Sequence, residues 1–239
     1  YGHDARFAPM TLNTLKNVSY DRILQIWKER FANPGQFVYY FVGNFDEATL
    51  RPLIEKYIAC LPKGKAEKWK EVPSYVAGQA VIKFTRKSET PKAIAFEFWH
   101  APMAYTLEND ILTSAAGQVL SMVYLKSIRE DASAAYSVSA GGKLRRLGNK
   151  AVAIVQSYCP MDPEKADLAV KLLAEGMKDN TVKMDADKVQ KVKDLMLKNA
   201  ELSAKTNSYW MGILDDYIWS GVDFHTNYKK TVEAITPAK

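Results

Sequence analysis

One uninterrupted helical pattern, from about Thr106 to Arg129, lies between strand-like runs and restricts most what this chain can become. Ile111, Ala115, Val119, Val123 and Ile128 recur there close to the helical period, so one face of the helix is apolar. Before it come AVIKFTR (80–86) and AIAFEFWH (93–100), joined through KSETPK. After it come AAYSVSAGG (134–142) and KAVAIVQSYC (150–159), joined through the basic turn KLRRLGN. Strands joined by short turns pair antiparallel, and an amphipathic helix buries its stripe against such a sheet. The order predicts an α+β fold, an antiparallel sheet with helices packed on one face.

Upstream, Ser19 is placed to cap a helix over YDRILQIWKERF, with Leu24, Trp27 and Phe31 on one face. The turn ANPGQ ends it, and FVYYFVG (37–43), apolar on both sides, reads as a strand interior to a sheet. Asp46 caps a second helix striped by Leu50, Leu53, Ile54, Tyr57 and Leu61. Lysine, proline and glycine then dominate, so residues 63–78 are expected to be a linker between a helix-strand-helix segment (1–62) and a second α+β unit (79–239). Three further helices follow: one entered at Asp162, one over 185–202 and one over 207–221. A last helix begins near Tyr228 and stops within a short tail, as if the second unit were truncated.

A formal net charge of +6 raises the prospect of a nucleic-acid partner, but the lysines and arginines are interspersed with acids, as in KNAELSAK. A dispersed surplus is a solvated surface, and no nucleic-acid motif accompanies it, so none is expected as partner. No run reaches the ~20 apolar residues of a membrane-spanning helix. Cys60 and Cys159, the two cysteines, are far apart; they could pair or be two buried thiols. The chain opens on Tyr1 and reads as a piece of a longer polypeptide.

Little chemistry is visible. With three histidines, His3, His100 and His225, all distant in sequence, neither H-E-x-x-H nor H-x-x-E-H exists, so no metal site is expected. There is no G-x-S-x-G elbow, and the glycines of SAGGKLRRLGNK fall in a hairpin rather than before a helix. SIREDASAAYSVSA (127–140) remains, with Arg129 at a helix end and Tyr136 seven positions on. The plain reading is an arginine complementing the helix dipole or pairing with Glu130 or Asp131, and a packed strand tyrosine. The functional reading is a guanidinium and a phenol facing one cleft, donating to a peptide carbonyl or its oxyanion.

SIREDASAAYSVSAGG resembles the R-E-x-x-x-x-A-Y-S motif of the C-terminal half of pitrilysin- and insulinase-type zinc peptidases, relatives of mitochondrial processing peptidase. Residues 19–62 resemble a second family segment, through Arg30-Phe31, Asn33-Pro34, Phe41 to Asp46, and Leu61-Pro62. The resemblance implies a clam-shell enzyme of repeated α+β domains, with zinc on an H-x-x-E-H helix in its N-terminal half. The metal-free half then supplies Arg129 and Tyr136 as the catalytic pair that binds substrate backbone and transition state. It implies a zinc metalloendopeptidase as parent, inactivity of this chain alone, and no metal-binding or cofactor-binding residue within it. Implied partners are a peptide or protein substrate and the zinc-bearing half, in the same polypeptide or in another subunit. A homodimer is a further arrangement, and a bacterial extracytoplasmic setting is suggested by the look of the segment. The alternative is a non-catalytic peptide-binding or assembly subunit of that family. Residues 19–62 are further expected to complete the sheet of the second unit, in this chain or a neighbouring one.

Overall fold

The structure, a computed structural model, describes residues 7–65, 67–68, 78–147, 150–182 and 184–239. The chain divides into two compact units, Tyr1–Val76 and Ala77–Lys239. The expected linker falls mainly on residues 66 and 69–77, outside the described ones.

The first unit holds α1 (Leu12–Lys16), α2 (Tyr20–Phe31) and α3 (Glu47–Tyr57). Caps set the helix starts. The Ser19 hydroxyl accepts from the Arg22 N–H, and Asp46 accepts from both the N–H and the hydroxyl of Thr49. Asn33 ties the turn after α2 to the chain beyond α3: its amide nitrogen donates to the Lys65 carbonyl (2.7 Å) and its oxygen accepts from the Gly64 N–H (2.6 Å). An Arg30–Glu67 ion pair closes the same loop. Hydrophobic burial is what is missing. Pro34 alone is buried among the described residues of this unit, while Ile23, Ile26, Trp27, Phe31 and Leu53 are exposed.

Two expected strands are absent. Among the described residues neither Phe37–Gly43 nor 80–86 forms a strand, and Val81, Ile82 and Phe84 are exposed. The β-rich composition of both segments is real, but a strand exists only where a neighbour takes its N–H and C=O groups.

That sheet has three antiparallel strands in the order β1 (Ala93–Pro102), β3 (Lys150–Met161), β2 (Ser139–Leu147). The α+β class stands, with fewer strands than the apolar runs suggested. β2 starts later than AAYSVSAGG implied; residues 134–138 make only one bridge, Ala135 to Met161. Residues Ala93, Ala95, Ala140, Cys159 and Met161 face α4 (Leu107–Tyr124) and α5 (Ala166–Val182), packing with Leu120, Tyr124, Ile128 and Leu173. A second cluster joins α4 to α6 (Ala186–Ser203) and α8 (Tyr228–Glu233), through Ile111, Val119, Val192 and Val232. Helix α7 (Asn207–Ser220) lies between α6 and α8 in the chain and ends on Gly221, whose φ of 71° suits glycine.

Glycines let α4 touch the sheet backbone. A Cβ on Gly117 would come within 2.0 Å of the Gly142 nitrogen, and one on Gly142 within 1.7 Å of the Thr113 carbonyl oxygen. Leu107–Asp131 is long and apolar enough by composition to cross a membrane. Here it is the central core helix, with Ile111, Val119, Leu120, Tyr124 and Ile128 buried by the sheet and other helices. Both cysteines are free; Cys159 is buried, and the exposed Cys60 corrects the reading of two buried thiols.

Candidate functional site

Helix α4 does not stop at Tyr124 but widens into a π-helix, Leu125–Asp131, which carries Arg129. The wider turn is visible in the bonding: the Ala132 N–H donates to the Ser127 carbonyl, five residues back, at 3.2 Å. Ser133 then takes a left-handed φ of 48°, and the Ala134 N–H reaches back to the Ile128 carbonyl at 2.8 Å. A small residue tolerates that backbone better than a β-branched one. The Lys165 ammonium donates to the Ser133 carbonyl (2.7 Å), pinning the corner from the segment that enters α5.

Two buried alanines aim the tyrosine. Ala134 and Ala135 are both in the core beneath the sheet, and Ala135 bridges to Met161. Tyr136, the next residue, stands at a bend and is 87% exposed. Arg129 is exposed too, its guanidinium carbon 5.8 Å from the centre of the Tyr136 ring. Asp131, one expected partner of Arg129, is held instead by Lys126 at 3.0 Å. Among the described residues no carboxylate pairs with Arg129. The geometry thus brings the two sequence candidates together, in cation–π contact and open to solvent. The guanidinium N–H groups and one phenolic O–H are donors, a set suited to carbonyl oxygens and oxyanions.

The sheet also carries an exposed aromatic row. Ile94, Phe96 and Phe98 project from β1 on the face away from the helices, and Tyr158 of β3 lies opposite Phe96. The Phe96 ring is 5.1 Å from Tyr158 and 6.1 Å from Phe98. The signal was the alternation in AIAFEFWH, where the small and acidic residues, not the aromatic ones, face the core. Nothing in the residue types marks the π-turn or the Lys165 clamp.

Zinc, which the resemblance implies for the parent, does not fit this chain. No cluster of three His, Cys, Asp or Glu that could hold a metal exists among the described residues. His225 is engaged by the Tyr209 hydroxyl at its Nδ1 (2.8 Å) and by the Trp210 ring, and His100 sits within β1 opposite Ile154. Residues 148–149 of the turn between β2 and β3 lie outside the described ones, but the flanking strands pair as the hairpin expected of SAGGKLRRLGNK.

An α+β domain that holds hydrogen-bond donors at an open corner, with no metal-binding cluster among the described residues, is the class that fold and site define. The chain belongs to the M16 peptidase family: the family described as "Peptidase M16 inactive domain" matches residues 17–196. It corresponds to the non-metal half of a pitrilysin-type peptidase, as the two motifs implied. The ferredoxin protease FusC, solved as a point mutant in complex with Arabidopsis ferredoxin, superposes with a TM-score of 0.69 at 18% identity, over 97% of this chain and 25% of that one. The periplasmic protease PqqL of Escherichia coli gives 0.63 at 19% identity, over 82% of this chain and 22% of that one. A peptidase M16 inactive domain from Pseudomonas fluorescens gives 0.62 at 15% identity, covering 96% and 53%. This chain therefore spans about a quarter of the two proteases. No curated protein matches it in sequence.

Proposed function

We propose that this chain is the zinc-lacking, substrate-binding region of a zinc metalloendopeptidase, acting with a zinc-bearing half that lies elsewhere in the parent polypeptide or in a partner subunit. Tyr136 donates its hydroxyl hydrogen to the carbonyl oxygen of the peptide bond under attack and stabilises negative charge as that carbon becomes tetrahedral. Arg129 holds the neighbouring backbone carbonyl and, through its contact with the ring, the orientation of the phenol. The observation that carries the reading is the pairing itself: a guanidinium 5.8 Å from the ring of a tyrosine that is 87% exposed. A packed structural tyrosine would not stand in solvent, and an arginine kept only for the helix dipole would not need that neighbour.

The test is Tyr136→Phe in the complete parent enzyme. A donor aimed at a developing oxyanion contributes on the order of 10²–10³ in rate, so kcat falls by that amount with KM little changed. Undiminished kcat refutes the assignment. The family's own description of this domain as inactive favours a second reading, a peptide-binding or assembly subunit in a parent that does not cleave. In that case Arg129→Ala weakens peptide binding although the parent has no H-x-x-E-H.

A further inference from the structure

The last regular turn of α4 rests on a polar contact that hydrophobic packing alone does not require. Tyr124 is fully buried, yet its hydroxyl lies 2.7 Å from Oε2 of Glu97 on β1 and 2.9 Å from the Leu173 carbonyl of α5. Ser157 of β3, opposite Glu97 in the ladder and itself buried, donates to the same carboxyl oxygen at 3.4 Å. Helix α5 makes room for the ring with an interior glycine: a Cβ on Gly176 would lie 2.7 Å from the Tyr124 Cε1 atom. Burial first, then the bond to Glu97, holds the phenol far above its ordinary pKa, so it stays a donor. None of these choices is the most stable one. A carboxyl and a phenol beneath a sheet need partners that apolar side chains of the same volume would not, and glycine inside a helix is less favourable than alanine. They converge on one residue, the last before the π-helix that carries Arg129.

Direction is what such a contact adds. Apolar burial is non-directional, whereas a hydrogen bond fixes both distance and angle. Where α4 joins the π-helix the backbone bonding changes its spacing, and a slip of one residue there would turn every later side chain by roughly 100°. Arg129 would then leave the Tyr136 ring. We propose that Tyr124, Glu97 and Ser157 are positioning residues: the bond between Tyr124 and Glu97 sets the rotation of the helix end and so holds Arg129 against Tyr136. Lys165, on the Ser133 carbonyl, fixes the far end of the same corner, so α5 and the segment entering it hold both ends. The inference rests on the proposed function for its catalytic consequence, and on the geometry alone for the contact it explains.

Nuclear magnetic resonance on the chain reads the contact as the upfield shift that the Tyr136 ring imposes on the Arg129 δ protons; Tyr136→Leu supplies the zero. Tyr124→Phe keeps the ring, removes the hydroxyl and should lose most of that shift. Glu97→Leu should do the same, while Glu97→Gln keeps an acceptor and should retain it. In the complete parent, Tyr124→Phe should lower kcat/KM on the order of tenfold. Added to Arg129→Ala it should cost nothing more, because the hydroxyl acts through that guanidinium. A shift unchanged in both Tyr124→Phe and Glu97→Leu overturns the positioning role, whatever the kinetics show. Losses that multiply in the double variant also overturn it, since two independent structural defects would behave so. An unchanged kcat/KM in Arg129→Ala alone overturns the proposed function, and the chain's spectrum then decides the positioning role by itself. A shift missing from the unsubstituted chain overturns both.

Discussion

Adjacent glycines of β2 should respond to the same substitution in opposite ways. A methyl on Gly142 would lie 1.7 Å from the Thr113 carbonyl oxygen and 2.6 Å from its carbon, so the obstacle is backbone of α4 rather than a mobile side chain. Ordinary contact begins near 3.4 Å, so α4 and β2 must separate by about 3.4 − 1.7 = 1.7 Å. That displacement loosens the packing of Leu120, Val119 and Ile111 at once, because all three lie on the same helix. Overpacking typically costs 1–3 kcal/mol when side chains can yield; with backbone on both sides, about 3 kcal/mol or more is expected. For a unit of this size that lowers Tm by roughly 6–12 °C. A Cβ on Gly141 meets nothing within 4 Å, so Gly141→Ala leaves Tm within about 2 °C of the parent. Differential scanning calorimetry of the two variants decides it. Equal melting temperatures would show that α4 does not ride on Gly142, and the placement of the helix that carries Arg129 would have to be explained otherwise.

Three more predictions concern order, anchoring and pH. Helices α2 and α3, of 12 and 11 residues, bury almost nothing and are of marginal length. Their amides in the chain alone should exchange within minutes while those of Val119 and Leu120 stay protected, and in the complete parent α2 and α3 should gain protection; equal protection in the chain alone refutes this. Lys165→Met removes the donor to the Ser133 carbonyl, so Ala134 amide exchange should rise several-fold with Tm changed by only about 2 °C, and an unchanged rate rejects the clamp. The Asp223 carboxyl is held down to about 2, first by a hydrogen bond from the Thr226 side chain, then by the N–H groups of Thr226 and His225. A carboxyl depressed in the folded state contributes above its unfolded value of about 3.9 and loses that contribution as pH falls toward 2. The chemical shift of the Asp223 carboxyl carbon should therefore stay constant down to about pH 4 and move below it; a midpoint above pH 4 contradicts the capping geometry.

Helices were the legible part of this fold because their signals are local. Ser19 and Asp46 each accept an N–H at a helix start, where residue type and position alone point to a cap. The strand reading failed where it needed a partner. FVYYFVG and AVIKFTR have the composition of AIAFEFWH, yet among the described residues only the last forms a strand, paired with β3. Composition records how a segment behaves once paired and not whether the pair exists. The outward face of Phe96 and Phe98 was not legible for a related reason, since alternation shows that a strand has two faces but not which of them the helices cover.

The site was legible as two residues and illegible as a geometry. A spacing of seven on a straight helix would set Arg129 and Tyr136 about 10 Å apart along the axis. In the structure the guanidinium lies 5.8 Å from the ring because the chain never continues as that helix. It widens at Leu125–Asp131, reverses through the left-handed Ser133 and re-enters the sheet layer at Ala135. Each step depends on something small: serine tolerates the backbone of the reversal, and Ala134 and Ala135 let the corner sink into the core far enough for Tyr136 to turn outward. The ASAA run between Arg129 and Tyr136 is thus as much a part of the site as the two side chains it presents. A larger residue at Ala134 would lift the corner and part the pair without touching either of them.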